Sequence, residues 1–291
     1  MKNFLYYALI VAIWGSTWYG IKLQLNGIPT QISVAYRFAI ATLILFAWCL
    51  IRRVRLRFAV SEHLLLMLLG VTLFSTNYLL FYEAEKFVLS GHVAIIFSLL
   101  VVFNILNGWL FFGLRPQRRV IVGAMLGMTG ILLTFWRELQ SIGAGSERAW
   151  GIVLTLAGTI LASLGNMVSA RLQKSGIPVV SGNAFGMLYG TIILLVYALL
   201  SRVKFSFDPS ISYAGSLLYL ALFGSVVAFG AYLSLVGRIG ADRAAYATVL
   251  FPIVALLISV IFEGYKVTIS GALGITCILL GNWIVLATPR T

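Results

Sequence analysis

Apolar residues run along this chain in blocks of about twenty, the length of a membrane-crossing helix, and short polar stretches punctuate them. The blocks are too long for strands and lack the strict alternation of a half-buried sheet. They predict ten helices, at 4–23, 32–51, 64–83, 92–113, 120–136, 150–170, 181–200, 212–235, 242–262 and 269–287. At about 1.5 Å per residue, such helices cross a hydrocarbon layer of roughly 30 Å. The longest polar break, 137–149, divides them five and five. The expected fold class is an all-α polytopic membrane protein with ten transmembrane helices, built from units at 1–140 and 147–291.

The two halves share a phrase. Residues 27–53 aligned with 176–202, an offset of 149, agree at nine of 27 positions: Gly27, Ile28, Pro29, Ala35, Thr42, Ile44, Leu45, Leu50 and Arg53 each recur. One unit is therefore written twice. An odd number of helices per unit makes the second copy enter the membrane from the other side, so the repeats are expected to be inverted. Inverted repeats provide two near-equivalent packings, one open to each side, as alternating access requires.

Composition sharpens this picture. The chain is 61% hydrophobic and 10% charged, which a soluble fold of 291 residues cannot bury. Its net charge of +13 suggests nucleic acid at first sight, but its 21 basic residues sit mostly in loops. There they set orientation. With the N-terminus inside, 13 Lys and Arg fall on the cytoplasmic side and 7 outside, leaving Arg37 within a span. Both termini are expected in the cytoplasm of a cell whose inner membrane holds the chain. The opening run resembles a signal peptide, but it carries Trp14 and Trp18 and lacks a small-residue cleavage site, so it reads as a retained first span. Cys49 and Cys277 lie in apolar spans and read as small core residues.

Candidate chemistry centres on Arg37 in the second span. An intramembrane Arg costs roughly 2.5–3.5 kcal/mol unless it is paired or reaches water. It either faces a cavity and holds an anionic group, or it snorkels to the interface and ties helices together. Its repeat equivalent is Gly186, so the site would be asymmetric. Trp14 and Trp18, four apart, share a helix face, and Ser16 offers a hydroxyl between them. Asn77, Tyr78, Tyr82, Asn166 and Tyr246 add amides and phenols that need partners in hydrocarbon. Each alone is commonly interhelical glue; together they imply a polar, aromatic-walled interior. His92 is a candidate gate, or else a plain interface histidine, and Pro252 should kink the ninth helix. Glu263 is the deepest plausible acid, with Glu83 and Glu85 at the same end. Gly123-xxx-Gly127 and Gly186-xxx-Gly190 allow close helix approach, expected within one monomer.

Several classes are excluded. No GxxxxGK[ST] loop for ATP appears, the two histidines lack metal spacing, and no hydrolase motif is present. The chain is expected to be neither an enzyme nor a cofactor or metal binder.

Trp14-Gly15-Ser16, Arg37-Phe38 with Ala41, and the tail Gly240-Ala241, Leu250-Phe251-Pro252, Phe262-Glu263-Gly264-Tyr265 and Gly281-Asn282 resemble the EamA branch of the drug/metabolite transporter superfamily. The resemblance covers nearly the whole chain. It implies a ten-helix exporter of small metabolites, with amino acids as typical cargo and a central cavity. The sequence departs from the family pattern at Leu114, where Glu is common. Leu99 stands where the second half has Pro252, so the fourth helix is expected to lack the ninth helix's kink. The expected partners are a small-molecule substrate, protons as a candidate coupling ion, and the bilayer. An uncoupled facilitator for small organic solutes is the alternative.

Overall fold

A computed structural model describes residues 2–25, 27–113, 118–134, 136, 147–239 and 246–286. Among these residues the regular structure is entirely helical. The first half holds α1 (Lys2–Lys22), α2 (Thr30–Ile51), α3 (Val60–Leu73), α4 (Thr76–Ala84), α5 (Ser90–Phe97), α6 (Leu100–Phe112) and α7 (Arg118–Thr134). The second holds α8 (Glu147–Lys174), α9 (Val179–Leu200), α10 (Ile211–Tyr219), a π-helical stretch (Leu220–Val227), α11 (Ala228–Ile239), α12 (Tyr246–Phe262) and α13 (Ile269–Leu286). Among the described residues, seven helical stretches are long and apolar enough to cross a membrane. Three of the seven are composite: α3 with α4, α5 with α6, and α10 through the π stretch into α11. The apolar segments in α7, α12 and α13 are shorter. Leu43, Leu50, Leu110, Leu200 and Ile261 stay exposed on the outer surface, as lipid-facing side chains do.

The repeated phrase folds the same way twice. Gly27 and Gly176 take φ of +86° and +79°, a region open to glycine. Pro29 and Pro178 then cap α2 and α9. The far ends match too. Arg53 and Arg202 are left-handed at φ +52° and +53°. Val54 N–H donates back to Cys49 O at 2.8 Å, and Val203 N–H to Ala198 O at 2.9 Å, closing each helix on its last exposed carbonyls. Recurrence at nine positions thus preserves both the entry and the exit of the helix.

These copies, α2 and α9, pack against each other, as do α7 and α13. Further contacts join α1 to α12, α8 to α6, α3 to α9, and α2 to the π stretch. Glycine sets the spacing. A Cβ at Gly190 would sit 2.5 Å from the Phe74 carbonyl oxygen, and one at Gly130 would sit 2.5 Å from that of Gly274. One at Gly281 would meet Gly123 O at 2.5 Å, so both glycine pairs singled out in the sequence serve contacts inside this chain.

Besides the third span, which breaks at Phe74–Ser75, two spans are less regular than their sequences suggest. The fourth span breaks at Ser98–Leu99, although it holds no proline. Ser98 Oγ donates to Ile95 O at 2.6 Å, and Leu99 N–H to Ile96 O at 3.0 Å, so the backbone tightens locally. The expectation of an unbroken fourth helix is corrected accordingly. Pro252, in contrast, lies inside α12, which is continuous from Tyr246 to Phe262. In the eighth span the turn widens: Ala228 N–H reaches Phe223 O, five residues back.

Candidate functional site

A cavity lies between the two halves. Trp14, Thr17, Trp18 and Ile21 of α1 form one wall, with Arg37 of α2 beside them. Leu73, Asn77, Tyr78 and Phe81 come from the third span, and Phe97 and Leu100 from the fourth. Ala162 and Asn166 of α8, Phe229 and Tyr232 of α11, and Phe251 of α12 complete it. It encloses about 550 Å³ of space free of atoms, its mouth included. Its walls interlock: Trp14 with Phe229 at 5.1 Å and Trp18 with Phe81 at 5.5 Å meet edge-to-face, and Trp18 with Phe97 at 5.3 Å is tilted.

Arg37 is the cation of this space and is 1% exposed. Its Nε donates to Ser225 Oγ at 2.9 Å. Its guanidinium lies 4.6 Å from the centroid of the Tyr78 ring. The ion pairs among the described residues, Arg55–Glu62 and Lys86–Glu83, do not involve it. Nη1 is buried and has no hydrogen-bond partner among the described residues. Trp18 Nε1 and Asn77 Oδ1 share that condition. The cavity thus presents two unused donors and one unused acceptor against aromatic walls.

The π stretch shapes this arrangement. Its wider turn leaves Ser225 Oγ free to donate to Leu220 O at 3.0 Å while accepting from Arg37. Gly224 O accepts from Trp14 Nε1 at 3.3 Å. A Cβ at Gly224 would come within 3.1 Å of Arg37 Nη2, so this glycine makes room for the guanidinium. Local π geometry recurs at functional sites because it re-aims backbone and side chains together.

The structure brings Trp14, Trp18, Arg37, Asn77, Tyr78 and Asn166 to one cavity, and it places the other candidates elsewhere. Ser16 turns away: its hydroxyl meets Tyr219 Oη at 2.6 Å and the carbonyls of Ala12 and Ile13. Residues two apart do not share a helix face, so Ser16 cannot line a wall with Trp14 and Trp18. Tyr82 sits one turn beyond Tyr78 and donates to Gln24 Oε1 at 2.7 Å. His92 is buried near the start of α5 with its ring 5.1 Å from that of Tyr265, away from the cavity lining. Pro252 is absent from that lining, but its neighbour Phe251 belongs to it. The side chain of Tyr246 lies outside the described residues. Phe97 and Phe229 carry no polar signal in an apolar run, and nothing in the sequence sets Ser225 apart from the other serines in the spans.

Glu263 is not the deepest acid. It accepts from Ser90 Oγ and N and from Ser259 Oγ and is half-buried, whereas Glu85 is 0% exposed. The serines of α5 and α12 hold Glu263 near the surface, and Glu85 lies under the packed ends of three spans.

Comparison with known proteins agrees with this architecture. The model of the EamA-like transporter family matches residues 2–136 and 149–287. The chain belongs to that family. Such proteins are transporters rather than enzymes. Among its relatives is the inner membrane transporter YedA of Escherichia coli, 29% identical over 248 residues, which are 84% of this chain and 78% of YedA. Protein PagO of Salmonella typhimurium is 24% identical over 96% of this chain and 91% of its own. The transporter YoaV of Bacillus subtilis is 24% identical over 94% and 92%. A crystal structure shares the fold, with a TM-score of 0.70 at 16% identity, covering 97% of this chain and 95% of that one. This EamA-family chain is accordingly a membrane transporter of small molecules.

Proposed function

We propose that this EamA-family transporter exports small metabolites such as amino acids across the cytoplasmic membrane, by alternating access between two inverted five-helix repeats. The observation that carries the reading is the buried Arg37, without a carboxylate partner among the described residues and with Nη1 unused, at the wall of an aromatic cavity. A buried charge left unpaired is costly, and a substrate carboxylate removes that cost when it binds. Trp18 Nε1 adds a second donor, and Asn77 Oδ1 an acceptor suited to an ammonium group. Two donors, one acceptor and apolar walls complement an amphipathic zwitterion. Helix pairing supports exchange between the repeats: α1 packs on α12 as the fourth span packs on α8, and α2 meets its own copy α9. The Lys and Arg distribution supports both termini in the cytoplasm.

The test is exchange in proteoliposomes, with a radiolabelled mixture of protein amino acids as the probe. Uptake driven by the same mixture inside, together with resistance of expressing cells to toxic amino acid analogues, is the expected outcome. No exchange by a folded sample, across amino acids and their carboxylate and amine analogues, overturns the proposal.

A further inference from the structure

Glu85 follows α4 at the end of the third span and is 0% exposed. Neither carboxylate oxygen has a hydrogen-bond partner among the described residues. The neighbouring acids contrast with it. Glu83 accepts from Lys86 Nζ at 2.8 Å and from the hydroxyl of Thr30. Glu263 holds three donors from Ser90 and Ser259. Lys22 approaches Glu85 but donates to its main-chain carbonyl, at 3.1 Å, rather than to its carboxylate. An ionised carboxylate buried without a hydrogen bond is costly, so the group takes a proton instead.

The surroundings point the same way. Burial first, and then the negative charge of Glu263, push the Glu85 carboxyl well above the usual carboxylate range, against the pull of Lys22 and Arg37. Among the described residues, the other ionisable groups near this end include Glu83 and Lys86, paired to each other, His92 near the start of α5, Tyr265 against it, Lys266 just after α12, and Glu147 and Arg148 on the exposed first turn of α8.

Position links this group to the cavity. Tyr78, Tyr82 and Glu85 are spaced four and three apart, on one face of the third span. Tyr78 lines the cavity beneath Arg37, and Tyr82 donates to the buried Gln24 of the α1–α2 connection. A polar stripe therefore runs from the substrate space to the end of the span.

We propose that Glu85 is a proton-binding site that couples proton movement to the opening of this end of the transporter; the coupling rests on the transport reading above. With the end shut, Glu85 holds its proton. When the end opens, water reaches it, the carboxyl O–H bond breaks, and the proton passes to water. The carboxylate left behind faces the ammonium of Lys22, which supplies the counter-charge. Reclosure requires a proton to return. The shut arrangement is thus favoured at low pH and is lost as pH rises through the raised pKa of Glu85.

Infrared difference spectroscopy of purified protein tests the site directly. At neutral pH the wild type should show a protonated-carboxyl stretch that is absent in Glu85→Gln and shifted in Glu85→Asp. A spectrum unchanged in both variants overturns the site. Proteoliposomes loaded with a pH dye test the coupling, with the radiolabelled amino acid mixture as probe. In wild type, a gradient of about one pH unit should raise the ratio of driven to gradient-free uptake toward tenfold. In Glu85→Gln that ratio should fall to one. A wild-type ratio of one, or a variant that keeps the wild-type ratio, overturns the coupling. If no probe moves at all, the transport reading fails, and the infrared result still decides the proton site.

Discussion

Arg37→Met separates a substrate-binding role from a structural one. Methionine keeps an unbranched stem in the same packing space and discards the charge. The loss is one charge-assisted hydrogen bond to Ser225, about 1.5–3 kcal/mol, and a desolvated cation–π contact over Tyr78, about 2 kcal/mol. Against this, the variant is relieved of burying a guanidinium with no counter-charge, a penalty of several kcal/mol. These contributions oppose each other and leave a net change within about 2 kcal/mol of zero. For a chain of this size that shifts the thermal midpoint by under about 8 °C. Ligand binding has no such compensation. Losing a charged hydrogen bond to a carboxylate costs about 1.5–3 kcal/mol, or roughly ten- to hundredfold in affinity. Trp14 and Trp18 line the cavity, so their fluorescence reports occupancy without an external label. The wild type should prefer amino acids to the corresponding carboxamides, and Arg37→Met should bind both equally weakly. Undiminished carboxylate preference in a variant of normal stability refutes the assignment. A collapsed midpoint with normal affinity per folded molecule shows instead that Arg37 is a strut.

Ser225→Ala leaves Arg37 Nε without its acceptor, and a drop of about 1–3 kcal/mol in stability should appear as a lower thermal midpoint. Trp14→Ala removes a ring that packs on Phe229, Tyr232 and Phe251, so ligand titrations should show weakened binding; unchanged affinity would take Trp14 out of the site. Gly190→Val drives a Cβ into the Phe74 carbonyl, a backbone atom that cannot rotate aside, and should lower folded yield by overpacking of about 1–3 kcal/mol or more. A C-terminal fluorescent fusion should glow while a phosphatase fusion at the same point stays inactive; the reverse pattern would put the C-terminus outside.

The all-helical apolar spans and the repeated phrase were legible because they rest on long-range statistics: apolar block length, and nine identities at one offset. Arg37 was legible because a charge inside a span stands out. Its partner was not, since Ser225 sits in the other half and no single sequence reports which helices touch. The π stretch Leu-Ala-Leu-Phe-Gly-Ser-Val-Val reads as ordinary helix, because a slightly wider turn leaves no mark on a mostly apolar run. Glu83 and Glu85 look equivalent in sequence. Two residues apart they point to different faces, and only packing decides that Glu83 meets Lys86 while Glu85 goes inside.

The interruption at Ser98–Leu99 differs in kind from anything proline produces. Proline has no N–H, so a helix that loses a bond to it never regains that bond. Ser98 and Leu99 keep theirs, now directed to Ala94, Ile95 and Ile96. The serine hydroxyl that competes for the Ile95 carbonyl is held by a single torsion. One hydroxyl rotation is all that separates the Ile95 carbonyl from the N–H of Leu99, its ordinary helical donor. Its counterpart across the repeat carries Pro252, whose shape is written into the covalent chain.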